Sequence, residues 1–188
     1  MTDFKFHQTD IPGLIRISPK YFADERGYFI KHFEKDVFLK NGLPVTFSEA
    51  FESLSCKGTL RGIHFQTEYP QGKIVRVSRG SVYEVAVDLR PNSPTLGKWL
   101  GFELSADNKE MLYLPEGFGS AFLALEDNTI FTYQCTDRYS PKYETGIMWN
   151  DKDIGIEWPL HIIDELVISN RDKNHQSFKE YCLKIKND

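Results

Sequence analysis

A chain of 188 residues with 40% hydrophobic content can bury a core without disulfide or metal staples and is not composed like a disordered protein. Its net charge of -4 is spread along the sequence, with no basic block and no interleaved basic and aromatic stripe, which excludes the usual nucleic-acid surfaces. No window reaches the apolar length that a bilayer demands, and Met1 to Leu14 carries Asp3, Lys5 and Asp10, so a cytoplasmic protein with no membrane partner is expected.

The first strongly periodic segment is Lys31 to Asn41, where Phe33, Val37 and Phe38 share one side and Asn41-Gly42 forms a stop; the pattern predicts a short helix. From Gly72 to Asp137 the grammar changes to short alternating runs. In KIVRVSRGSVYEVAVDLR the apolar residues Ile74, Val75, Val77 and then Val82, Val85, Val87 and Leu89 are broken at Arg79-Gly80, which reads as a hairpin. The runs LGKWLGFELS, EMLYLP, SAFLALED and TIFTYQCTDRYS follow, separated by Asp-Asn and Pro-Glu-Gly turn signals. Strands at this spacing predict a sandwich or barrel, and leave no room for the helices that a parallel α/β fold needs. After Ser140-Pro141 the chain is punctuated and then polar, as expected of loops and a short helix around the barrel. Without a low-complexity linker or a repeat, residues 1–188 are expected to form one domain. The three cysteines, Cys56, Cys135 and Cys182, are odd in number, widely spaced and without Cys-x-x-Cys, so all three are expected to be packing residues.

The densest chemical candidate is Leu60-Arg61-Gly62-Ile63-His64-Phe65-Gln66. On a strand, Gly62, His64 and Gln66 share one face and Ile63 and Phe65 the other, so His64 can look into a barrel. A lone histidine is more often a satisfied core residue. Arg61 beside it and Lys73 just beyond favour a polar pocket for an anion such as a diphosphate. Tyr133 lies on the face opposite Thr132 and Gln134, and Asp172 lies in a polar segment; taken alone, a core aromatic and a solvated carboxylate are the commoner readings of these two. The histidines His7, His32, His64, His161 and His175 contain no His-x-His or His-x-x-x-His pair, so a metal-dependent enzyme is not expected.

From about Ile11 to Asp172 the chain resembles the dTDP-4-dehydrorhamnose 3,5-epimerases and their relatives on other nucleotide sugars. The resemblance rests on ordered pieces: Asp24 to Phe29, Leu60 to Gln66, Gln71-Gly72-Lys73, Val85 to Arg90, Ser93-Pro94-Thr95, Pro115 to Phe118, Tyr139-Ser140-Pro141, Trp149-Asn150-Asp151 and Ile156 to Pro159. It implies a dimeric, cupin-like β jelly roll with a few short peripheral helices. It also implies epimerisation at C3, C5 or both of a nucleotide-linked 4-keto-6-deoxy sugar, with no metal and no cofactor. By the same resemblance His64 is the base, Asp172 orients it, Tyr133 is the acid, and Arg26, Arg61, Lys73 and Glu144 line the substrate site. The chemistry is coherent: a proton next to a ketone is removed only if the charge reaching the carbonyl oxygen is met, and His64 and Lys73 suit those two tasks.

The chain departs from the family pattern in places. Ser120 replaces the histidine of a Gly-Phe-Ala-His-Gly-Phe stretch, Lys31 replaces an acidic residue, Glu49-Ala50-Phe51 replaces Gln-x-Asn, and Arg138 stands where an aromatic precedes Tyr139. These positions bear on substrate choice, so a CDP- or GDP-linked sugar and a single inverted carbon are also open. A keto-sugar isomerase on the same barrel and a silent sugar-nucleotide binding protein are the alternative functions. Ile11 to Ile17 is a plausible strand for exchange between two copies.

Overall fold

The computed structural model describes residues 3–186. Its strands fall into two facing six-stranded sheets and one separate hairpin. The first sheet runs β1 (Lys5–Gln8), β2 (Ile15–Ser18), β10 (Met111–Leu114), β7 (Lys73–Arg79), β12 (Thr129–Cys135) and β5 (Glu49–Ser55). The second runs β13 (Glu144–Gly146), β6 (Thr59–Gln66), β11 (Phe118–Ala124), β8 (Ser81–Asp88) and β9 (Trp99–Ser105), with β14 (Val167–Ile168) parallel to β6. The hairpin is β3 (Lys20–Asp24) with β4 (Gly27–Lys31). This is the expected all-β jelly-roll architecture, built as two layers over one core.

Alternation decides what fills the space between the layers. Val75, Val77 and Phe131 from the first sheet meet Val82, Ala86 and Phe122 from the second, and Phe122 stacks on Phe131 at 4.4 Å. Strand β8 is buried on both faces, because Val85 and Val87 turn outward beneath α2 (Phe178–Ile185). That helix starts with a capping box, in which Ser177 Oγ accepts from the Glu180 N–H and Glu180 Oε2 accepts from the Ser177 N–H. The outer face of the first sheet is covered by Phe4, Phe6 and Phe38, the last from α1 (Lys35–Lys40).

Three local expectations are corrected. The helix predicted over Lys31 to Asn41 begins only at Lys35, because Lys31 is still paired with Lys20 in the hairpin. Phe33 nevertheless packs on that helix, 5.0 Å from Phe38 ring to ring. Strands β7 and β8 do not form a hairpin: Arg79-Gly80 is a corner that carries the chain from one sheet to the other. Gly80 takes φ +73° there, and a Cβ on it would stand 2.4 Å from Thr129 Oγ1, so the corner requires glycine. Of the cysteines, Cys135 is buried and Cys182 half-buried, but Cys56 is exposed in a turn and is not a packing residue. The segment Ile11 to Ile17 pairs through β2 with β1 and β10 of its own chain. Among the described residues no helix is long and apolar enough to cross a membrane.

Candidate active site

One wall of the site is shaped by a β-bulge. Strand β11 pairs Ser120 with His64 and Phe122 with Arg61, so Gly62 and Ile63 together stand opposite Ala121. The extra residue breaks the two-residue period and brings Arg61 and His64, three positions apart, to the same side. Strict alternation would have separated them. Gly62 has φ +115°, and a Cβ there would lie 2.5 Å from both Ala121 Cβ and Ser120 O, so no larger residue fits the bulge.

Asp172 arrives from the far end of the chain. Pairing of Ile168 with Leu60 lays β14 along β6, and the following turn is fixed by the Asp172 N–H donating to Ser169 Oγ at 3.1 Å. Asp172 Oδ1 then lies 2.8 Å from His64 Nε2, while the Gly62 N–H points at Oδ2 from 3.4 Å. Burial raises the Asp172 pKa, but the hydrogen bond and charge of His64 outweigh it and hold the carboxyl at about 2. An ionised carboxylate only accepts, so the imidazole proton belongs on Nε2 and the lone pair on Nδ1.

Arg171 stands beside this pair, with Nη2 3.2 Å from His64 Nε2. It is held by two parallel hydrogen bonds to Glu144, at 2.7 and 2.8 Å, and the Tyr139 hydroxyl donates to the same carboxylate at 2.5 Å. His175 also approaches Asp172 Oδ1, at 3.3 Å, and its ring meets that of His64 edge-on at 5.5 Å. Spacing in the sequence could not show this second imidazole. Among the described residues, the ligand atoms of His64, Asp172 and His175 lie within 4.8 Å of one another. The neighbouring guanidinium of Arg171 opposes a cation at that point, and the arrangement suits a hydrogen-bonded dyad better than a metal centre.

The opposite wall belongs to the other sheet. Tyr133 on β12 turns inward with Phe131 and stacks on Phe51 of β5 at 5.2 Å. Lys73 opens β7 opposite Cys135, and its ammonium lies 5.9 Å from the Tyr133 ring centre. Burial pushes the Tyr133 phenol up to about 12, with Cys135 and Glu144 adding to the effect. Burial also draws the Lys73 pKa down, which Cys135, Glu84 and Glu144 oppose. Between the two sheets lies a cleft of about 330 Å³, with Arg61, His64 and Ser120 on one side and Phe51, Lys73 and Tyr133 on the other. Glu144 and Arg171 also line it.

Arg26 is not in this cleft. It sits at the turn of the β3–β4 hairpin with its side chain 81% exposed, tied to Asp24 at 2.6 Å. The expectation that Arg26 lines the substrate site is therefore not met within one chain, since a free-standing hairpin carries it away from the cleft. Arg171 and Glu84 were not picked out by the sequence reading. A signal existed for Glu84, a lone charge in the apolar run SVYEVAV, and none for Arg171 beyond its place next to Asp172. Two departures find local partners: Glu49 accepts the Tyr139 N–H at 2.7 Å, and Arg138 lies 4.2 Å over the Tyr69 ring.

The sequence pattern of one family, dTDP-4-dehydrorhamnose 3,5-epimerase, matches residues 8–180. The chain belongs to that epimerase family. A dTDP-4-dehydrorhamnose 3,5-epimerase of Methanothermobacter thermautotrophicus is 50% identical over 180 residues, covering 96% of this chain and 97% of the relative. Among solved members of the epimerase family, the Legionella pneumophila enzyme in complex with dTDP-4-keto-L-rhamnose superposes with a TM-score of 0.91. It is 36% identical, over 97% of this chain and 96% of that one. A 3'-monoepimerase from Streptomyces bikiniensis in complex with dTDP-quinovose gives 0.86 at 32% identity, over 92% and 87%. As a member of this epimerase family the chain is an isomerase.

Proposed function

We propose that this chain epimerises a dTDP-linked 4-keto-6-deoxy sugar at the carbons flanking the ketone, with His64 as base and Tyr133 as acid. The observation that carries the reading is that an imidazole and a phenol stand on facing walls of one cleft. His64 Nδ1 takes the proton from one face of the sugar, and Asp172 steadies the imidazolium that results. The electron pair moves onto the carbonyl oxygen, where the Lys73 ammonium meets it. Tyr133 then delivers a proton to the other face, and its own proton is replaced from solvent. A phenol held near 12 remains protonated at neutral pH, as an acid must.

Among the described residues Arg61 is held by long hydrogen bonds, 3.3 Å to Ser55 Oγ and 3.4 Å to Leu54 O, which leaves it available to a diphosphate. Glu144 is an acceptor at the same cleft for a sugar hydroxyl. Names of the relatives favour dTDP as the nucleotide over CDP or GDP.

A cytoplasmic homodimer completes the proposal. Phe22 and Phe29 are directly paired across the β3–β4 hairpin and are 42% and 73% exposed, an apolar pair that a second copy would cover.

Incubation with dTDP-, CDP- and GDP-4-keto-6-deoxy sugars in deuterated water tests the reading. Deuterium at C3 or C5 with inversion is expected from the dTDP sugar. A displaced ketone indicates the isomerase, and binding without exchange of any of the three rejects catalysis.

A further inference from the structure

Ser120 and His64 oppose each other directly on β11 and β6, and both line the cleft. Opposed residues of an antiparallel pair carry Cβ atoms about 5 Å apart, so a carbon touching the His64 ring has its substituents within reach of the Ser120 hydroxyl. That hydroxyl has a single proton. Ser120 Oγ donates it to Glu84 Oε1 at 2.9 Å, and Glu84 is wholly buried on β8, with no hydrogen-bond partner for Oε2 among the described residues. With the proton committed to the core side, Ser120 offers only lone pairs to the cleft. This stretch of wall accepts hydrogen bonds and does not donate them.

The two carbons beside the ketone of a 4-keto-6-deoxyhexose differ in what they can offer such a wall. C3 bears a hydroxyl, which can donate. C5 bears a methyl group, which cannot, and the ring oxygen, which would meet lone pair with lone pair. We propose that Ser120, oriented by Glu84, is a specificity-determining residue that reads the C3 hydroxyl and seats that carbon over His64. The assignment rests on the functional reading above and names which carbon the base is offered. Glu84 acts through Ser120 and is a positioning residue. Burial pushes its carboxyl up to about 8 against the Ser120 hydrogen bond and the Lys73 charge, and glutamine in its place keeps a carbonyl oxygen to accept the Ser120 proton.

The test compares deuterium exchange at C3 in dTDP-4-keto-6-deoxyglucose and in its 3-deoxy counterpart. S120A is expected to slow exchange of the hydroxylated sugar about three- to tenfold, the effect of one lost hydrogen bond, and to leave the 3-deoxy sugar within about twofold of wild type. E84Q is expected to keep the wild-type ratio of the two rates. Should S120A prove poorly folded, S120C, close in shape and weak in hydrogen bonding, carries the same comparison with the same expected result. Equal slowing of both sugars, slowing of neither, or wild-type exchange confined to C5 overturns the assignment and leaves the epimerase reading standing. Absence of wild-type exchange at any carbon overturns both.

Discussion

Asp172 Oδ1 lies 2.8 Å from His64 Nε2, although 108 positions separate the two residues in the chain. A carboxylate so placed fixes which imidazole nitrogen carries the proton. D172N presents an amide that can donate, which favours the other tautomer and withdraws the base. The expected outcome is a kcat lowered by about 10²–10⁴ with KM little changed, read from steady-state rates on the keto sugar. A rise in KM at constant kcat would assign Asp172 to binding instead.

Tyr133→Phe keeps the ring that stacks on Phe51 and removes only the phenolic proton. Stability is expected to change by less than about 1.5 kcal/mol. Deuterium exchange should persist while inversion is lost, a separation that product stereochemistry by NMR detects. Full inversion by the variant would remove Tyr133 from the proposed mechanism.

Two carboxyls make the fold sensitive to acid. Asp172 is held at about 2 by His64, and Asp88 at about 2 by Arg90, Ser93 and Thr95, in each case against the upward push of burial. Both folded values lie below the ordinary 3.8, so their contribution is fully present above that pH and is lost as pH falls toward 2. Each shift corresponds to about 2 kcal/mol. Urea unfolding between pH 5 and 2 should show the decline, and a D172N protein should lose a smaller amount over that range.

The exposed Phe22 and Phe29 pair gives the oligomeric state a direct test. Wild type is expected to scatter light as a particle near twice 21.8 kDa. F29D places a charge in the apolar contact and should yield a monomer with unchanged far-UV circular dichroism. A monomeric wild type would end the dimer proposal.

The sequence displayed what two-residue periodicity can carry, namely which side chains share a face. The inward turn of Tyr133 with Phe131, and of His64 away from Ile63, was legible for that reason. Periodicity does not say which strand lies alongside, so Arg79-Gly80 looked like a hairpin when it is a corner between sheets. Nor does it reveal a bulge, so the device that brings Arg61 and His64 to one side of β6 had no signal in the alternation. The approach of Asp172 and Arg171 to His64 depends on β14 finding β6, a non-local pairing with no local signature; only the family resemblance pointed to Asp172, and nothing pointed to Arg171. Arg26 keeps its place in the motif, but its hairpin stands apart from the cleft of its own chain, a displacement that no local pattern signals.

His64 and Tyr133 hang from different layers of the jelly roll, and this makes the distance between them a property of the architecture. Facing sheets pack about 10 Å apart, close to the thickness of a sugar ring with a side chain on either flank. In the proposed reaction a hexose in that slot turns one flat side toward each layer, so the stereochemical outcome would follow how the ring is rotated within the slot. On that proposal, new product configurations would arise through changes at the floor and mouth alone, with His64 and Tyr133 left as they are.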